Sequence, residues 1–140
     1  MAPPWHFWPM TLFTLAWTAG AAADYLMTQY AYAPYTALFT EDQVAYFTTL
    51  PASFAAPWAI GAFAGVLGAV MVAGRLSAAP VLLAIAAVAM VYAALWLTVL
   101  SDPPMRAVAG LAGDVIVSAG AVVSVLVRHY ARVQHQRGVF

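Results

Sequence analysis

The chain has 140 residues, 65% of them hydrophobic and only 7% charged, with a formal net charge of zero. An ordinary soluble domain carries roughly 25% charged residues, so this composition excludes a water-soluble globule and makes lipid the solvent for most of one domain. A balanced charge leaves no electrostatic footprint for nucleic acid, and the absence of cysteine excludes a disulfide framework, thiolate metal sites and thiol redox chemistry.

Residues 1–8 hold prolines, tryptophans and a histidine but no Lys or Arg, so they lack the basic region of a secretory signal and read as an interfacial aromatic anchor. Ala21-Ala22-Ala23 has the small-residue form of a signal-peptidase site, yet span one is expected to stay uncleaved. Pro9 suits the first turn of a helix, where its missing N–H costs nothing. From about residue 9 to residue 29 the helical rise is about 31 Å, enough to cross a hydrocarbon core.

The connection from Tyr30 to Ala55 is the longest piece that does not span. Within it, Thr40-Glu41-Asp42-Gln43 has the form of a capping box: Thr40 accepts from the backbone three residues on, and Gln43 reaches back. Glu41 and Asp42 complement the positive end of the helix that follows. A short interfacial helix is predicted over about 40–49, stopped by Pro51, with Val44, Phe47 and Leu50 on one side.

Span two, about 56–74, carries Gly61, Gly65 and Gly68 on one face, a pattern that lets helix backbones approach closely. The short turn to Pro80 makes spans two and three an antiparallel hairpin. Span three, about 80–100, has few features besides Tyr92, Trp96 and Thr98, and Ser101-Asp102-Pro103-Pro104 is a strong stop. Span four, about 105–127, is again rich in small residues, with Gly110, Gly113 and Gly120 expected to serve helix packing. The basic tail, 128–140, is expected to continue the helix into water. Arg75, Arg128, Arg132 and Arg137 fall on one side of this topology and only Arg106 on the other, so both termini are expected to be cytoplasmic and the interfacial helix periplasmic.

Two carboxylates, Asp24 and Asp114, remain inside the predicted spans, where ionisable groups are costly enough to mark functional sites. Both fall in the outer half, Asp24 about 9 Å below the end of span one and Asp114 about 12 Å along span four from Arg106. As a pair they would form a protonatable or cation-binding site. In the structural reading, which is preferred, Asp24 accepts from Thr28, Tyr25 or an indole, and Asp114 bonds Ser118 or pairs with Arg106. His6, His129 and His135 lie at or beyond span ends, so neither haem ligation within the bundle nor a Ser-His-Asp set is expected, and no metal site or cofactor is assigned.

The segment Asp24-Tyr25-Leu26-Met27-Thr28-Gln29, followed by Phe39-Thr40-Glu41-Asp42-Gln43-Val44-Ala45-Tyr46-Phe47 and then Trp58-Ala59-Ile60-Gly61, resembles a functionally unassigned family of small bacterial four-span inner-membrane proteins. Such sequences sometimes carry the automatic label of sugar transporter, for which no sugar-site signature is present here. In size and span count the chain is also similar to small multidrug exporters. Those place an essential Glu deep in the first span, whereas Asp24 lies near the end of its helix and the long connection departs from their short loops.

The resulting expectation is an all-α membrane protein of the bacterial inner membrane, a four-transmembrane-helix bundle with a short periplasmic interfacial helix. It is expected to be non-enzymatic, an accessory or scaffolding subunit whose partners are the lipid bilayer and further copies of itself or other membrane subunits. The alternative is a small proton- or cation-coupled transporter using Asp24 and Asp114. A third reading is a membrane protein that binds a lipid, quinone or pigment beneath the interfacial helix.

Overall fold

The computed structural model describes residues 2–140 and contains only helices among them. They are α1 (Phe7–Gln29), α2 (Ala33–Thr36), α3 (Glu41–Thr48), α4 (Ala52–Ala73), α5 (Ala79–Leu95), which runs into a π-helical turn over Trp96–Leu100, and α6 (Met105–Gln136). Three of them, α4, α5 with its π turn, and α6, are long and apolar enough to cross a membrane. The fourth long helix, α1, is diluted by Thr11, Thr14, Thr18, Thr28 and Asp24.

The long helices pack in an arc, α1 on α4, α4 on α5 and α5 on α6. Glycine sets the closest approach: a Cβ on Gly61 would stand 2.5 Å from Ala89 Cβ, and one on Gly68 2.8 Å from Leu83 Cγ, so α4 and α5 lie nearly backbone to backbone. Gly65 faces the other neighbour, with Thr18 Cγ2 at 3.3 Å from its would-be Cβ. The threonines of α1 can be buried because each satisfies itself. Thr11, Thr14 and Thr18 donate to the carbonyls of Phe7, Met10 and Thr14, each at 2.8 Å.

The ends of the arc, α1 and α6, meet where His6 Nδ1 and the Tyr130 hydroxyl share a hydrogen bond of 2.9 Å. Here Phe7, Val72, Ala79, Leu83, Val127, Ala131 and Val139 form one buried cluster, and the Arg75 guanidinium lies 5.9 Å from the Phe7 ring centre. The tail is therefore not a free solvated helix. Residues past Val127 fold one side onto the bundle, burying Ala131 and Val139 together with the polar Gln134, while Arg132, His135 and Arg137 face outward. His129 is exposed as well, and His135 Nδ1 lies 2.8 Å from the Phe140 carbonyl.

At the opposite end, α2 and α3 form a roof. The cap of α3 has both halves of its box, with Gln43 N–H donating to Thr40 Oγ1 at 3.3 Å and Thr40 N–H to Gln43 Oε1 at 3.2 Å. Tyr46 ties α3 to the end of the π turn, its hydroxyl donating to Ser101 Oγ at 3.0 Å, and below it Phe54, Ala93, Leu97 and Met105 form a second buried cluster.

Two helix irregularities feed this end. α4 starts at Ala52, one turn before the expected start at Ala56, so Pro57 lies inside it. Proline cannot donate to the carbonyl of the residue four before it. That carbonyl, on Ser53, accepts instead from the Tyr92 hydroxyl at 3.1 Å. In α6, Gly110 has φ 67° and ψ −170°, a conformation open in practice only to glycine, and the helix kinks there. Gly110 is thus not a packing residue: a Cβ on it would meet nothing within 4 Å. A break of this kind takes carbonyls of the preceding turn out of the ladder. Val108 C=O accepts from Gln43 Nε2 at 3.4 Å, clipping the roof to α6.

Candidate functional site

Between the roof, the cavity-side faces of α1 and α6, and the second buried cluster lies a cavity of about 700 Å³. That is within the size range of small-molecule pockets. One face of α1 supplies Trp17, Gly20, Asp24 and Thr28, residues that recur at helical spacing. The roof supplies Tyr35 and Thr36 from α2, and Gln43, Val44, Phe47 and Thr48 from α3. Gly113, Val117 and Gly120 of α6 close the far side, and Met90 and Ala93 of α5 the back.

Asp24 is the one charged side chain in this wall, and no Arg or His lines it. Its Oδ1 accepts a hydrogen bond from the Tyr35 hydroxyl, which holds α2 down on α1. Burial pushes the Tyr35 phenol well above its ordinary range, and the hydrogen bond and negative charge of Asp24 add to the rise while Thr28 opposes it. Tyr35 therefore remains a neutral donor at every physiological pH. Tyr25, by contrast, turns its ring edge-on to Trp58 and Phe63 on α4.

Lateral access comes from the weak contact of α1 with α6. Ala16 and Gly20 on one side and Ala112 and Ile116 on the other all line the cavity and are all exposed, Ile116 to 69%. Because only small side chains edge the gap on three of these four positions, the cavity opens sideways as well as being roofed.

Asp114 is not part of this wall. It is half-buried, its Oδ1 enclosed and without a hydrogen-bond partner, so neither Ser118 nor Arg106 satisfies that oxygen. Arg106 itself is exposed on the first turn of α6. Asp24 thus lines the cavity and is held by a tyrosine, whereas Asp114 does not line it. Of the α6 glycines, Gly113 is buried against Met105 and Gly120 lies near Met90, with Trp17 at 3.9 Å from its would-be Cβ.

Tyr35 is the residue that sequence reasoning missed. A signal for it exists in Tyr32-Ala33-Pro34, since proline in the first turn marks a helix start. The helix it opens has only four residues, too few for any periodicity to register. Comparison with protein-family models, with curated proteins and with solved structures gives no match.

Proposed function

We propose that this is a non-enzymatic membrane protein that binds a membrane-partitioned small molecule in the cavity beneath its roof. The observation that carries the reading is an apolar cavity of about 700 Å³ that holds one carboxylate and opens sideways between two long helices. In this reading α1, whose rise is about 34 Å, is a fourth span, and the lateral gap faces hydrocarbon. Arg75, Arg128, Arg132 and Arg137 gather at the end where the chain termini meet, which supports a cytoplasmic location for that end in a bacterial inner membrane. The roof, with Glu41, Asp42 and Asp102, then faces the periplasm.

The test is extraction and mass spectrometry of protein purified in lipid nanodiscs, alongside a variant whose cavity is filled. Gly20 lines the cavity and a Cβ there meets nothing within 4 Å, so the side chain of Gly20→Leu starts in open space at the cavity wall. A small molecule bound in stoichiometric amount by the unaltered protein and lost from Gly20→Leu supports the reading. An identical lipid and small-molecule content in both proteins overturns it.

A second reading, an accessory or scaffolding subunit, rests on α6. Its outward residues Leu111, Val115 and Val122 are exposed, an apolar face that a neighbouring subunit would cover. Mass determination in mild detergent tests it, with a stable monomer as the refuting result.

A further inference from the structure

We infer that the cavity takes a molecule bearing an ammonium group on an apolar body, with the Asp24 carboxylate as its counter-charge; the inference rests on the binding function proposed above. An ionised carboxylate offers about four acceptor positions. Among the described residues one neutral hydroxyl, that of Tyr35, donates to Asp24 from a side chain. Tyr35 orients the carboxylate but brings no charge, so a positive group from outside the chain is what the site lacks. The chain has no lysine, and its five arginines all lie away from the cavity wall, so an anionic head group would find repulsion from Asp24 and no partner.

The remaining wall fits the same chemistry. Trp17, Tyr35, Phe39, Phe47, Phe54 and Trp58 all line the cavity, and the faces of such rings attract an ammonium while their bodies accept alkyl or aryl carbon. Val117, Met90 and Met105 add to the apolar lining. Polar groups are concentrated at the roof end, where Asp24, Thr28, Tyr35, Thr36 and Gln43 come together. A ligand entering between α1 and α6 would therefore lodge its head group beneath α2 and its body deeper, towards Trp17 and Gly120.

The experiment holds the body constant and varies the head. Terminally brominated decyl ammonium, decyl alcohol and decanoate are titrated into the full chain in nanodiscs of digalactosyldiacylglycerol, a bilayer lipid with no ammonium group, and quenching of tryptophan fluorescence is followed. Trp17 and Trp58 line the cavity and bromine quenches at short range, so the signal of interest is saturable quenching that Gly20→Leu removes. In the unaltered protein the ammonium should bind at least about ten-fold more tightly than the alcohol, with the carboxylate weakest. Asp24→Asn should reduce the preference for the ammonium over the alcohol to within about two-fold, and the helical circular dichroism of the variant reports that it is folded.

Equal binding of ammonium and alcohol by the unaltered protein overturns the inference while the cavity reading stands, and this comparison needs no variant. Retention of the ammonium preference in Asp24→Asn also overturns it. If none of the three probes gives quenching that Gly20→Leu removes, the binding function itself fails and the inference with it. Repeating the titration with phosphatidylethanolamine in the discs separates two sources of the same group: competition by that lipid identifies the ammonium as a lipid head group, and no competition identifies it as a free amphiphilic amine.

Discussion

On the α4–α5 seam a Cβ added to Gly61 falls 2.5 Å from Ala89 Cβ, and one added to Gly68 falls 2.8 Å from Leu83 Cγ. On the cavity face of α1 a Cβ added to Gly20 meets nothing within 4 Å. Both regions include glycine and alanine at helical spacing, Gly61 and Gly68 with Ala89 at the seam and Ala16 with Gly20 at the gap. At the seam the missing side chains are replaced by a neighbouring helix, which gains dispersion contacts along its length. In the gap between α1 and α6 the missing side chain of Gly20 is replaced by nothing, and the roof helices and the tail join those two helices at their ends. Small residues therefore specify a close approach or a void according to what spans the distance between the backbones.

The largest expected effect comes from exchanging these roles. Gly61→Leu forces a branched side chain into the seam and should destabilise the protein by about 1–3 kcal/mol, the usual cost of overpacking. Gly20→Leu, with open space to fill and a better helix former replacing glycine, should be neutral or stabilising by up to about 1 kcal/mol. Denaturant unfolding in bicelles, read by circular dichroism, compares the two directly. Equal stability of the two variants would erase the distinction between seam and gap.

The same ambiguity explains what could be read beforehand and what could not. The membrane class was legible because hydropathy and run length are properties of a single segment. The capped α3 was legible too, since a capping box is a local device confined to Thr40 through Gln43. Gly110 resembles a packing residue in sequence because spacing records only that glycine is small; its φ of 67° belongs to the backbone, and no neighbouring residue announces it. The charges of the tail imply a solvated helix, and they do face outward, while Ala131 and Val139 on its other side join the cluster of Phe7 and Val72. Asp24 and Asp114 were matched by depth, but depth along two helices says nothing about rotation around them. The cavity depends on how α1 and α6 lean apart, a relation between segments far apart in the chain.

A smaller and more local effect tests whether the roof is a separately held unit. Thr40→Ala removes the side-chain acceptor for Gln43 N–H, a change worth about 1 kcal/mol. Because α3 touches the arc through a few contacts such as Gln43 to Val108 and Tyr46 to Ser101, the loss should appear in the roof and not at the seam. Amide hydrogen exchange should speed up roughly five-fold across α3 and stay unchanged in α4 and α5. Uniform acceleration through all the helices would mean that roof and arc unfold as one body.

The smallest effect concerns how the helices are closed off. Both α1 and α4 end with a non-glycine residue in the left-handed region, Ala31 at φ 46° and Arg75 at φ 54°. Each occupies the position where glycine is usual, with Tyr32 N–H returning to Met27 C=O at 2.9 Å and Leu76 N–H to Met71 C=O at 2.8 Å. Replacing Ala31 with glycine relieves that strain and gives up no ring or charge interaction, so Ala31→Gly should stabilise by about 0.5–1 kcal/mol. Arg75 differs in that its guanidinium lies 5.9 Å from the Phe7 ring centre and 6.0 Å from that of Trp8. Such contacts are worth about 0.5–1 kcal/mol at an exposed site, so Arg75→Gly should gain the same relief and lose about as much, leaving stability nearly unchanged. The difference between the two substitutions, measured by the same unfolding assay, isolates what the arginine contributes by clamping the turn to the first residues of α1. If Arg75→Gly stabilises as much as Ala31→Gly, the rings hold nothing, and the closed end of the arc depends on the Phe7 cluster and the His6–Tyr130 hydrogen bond.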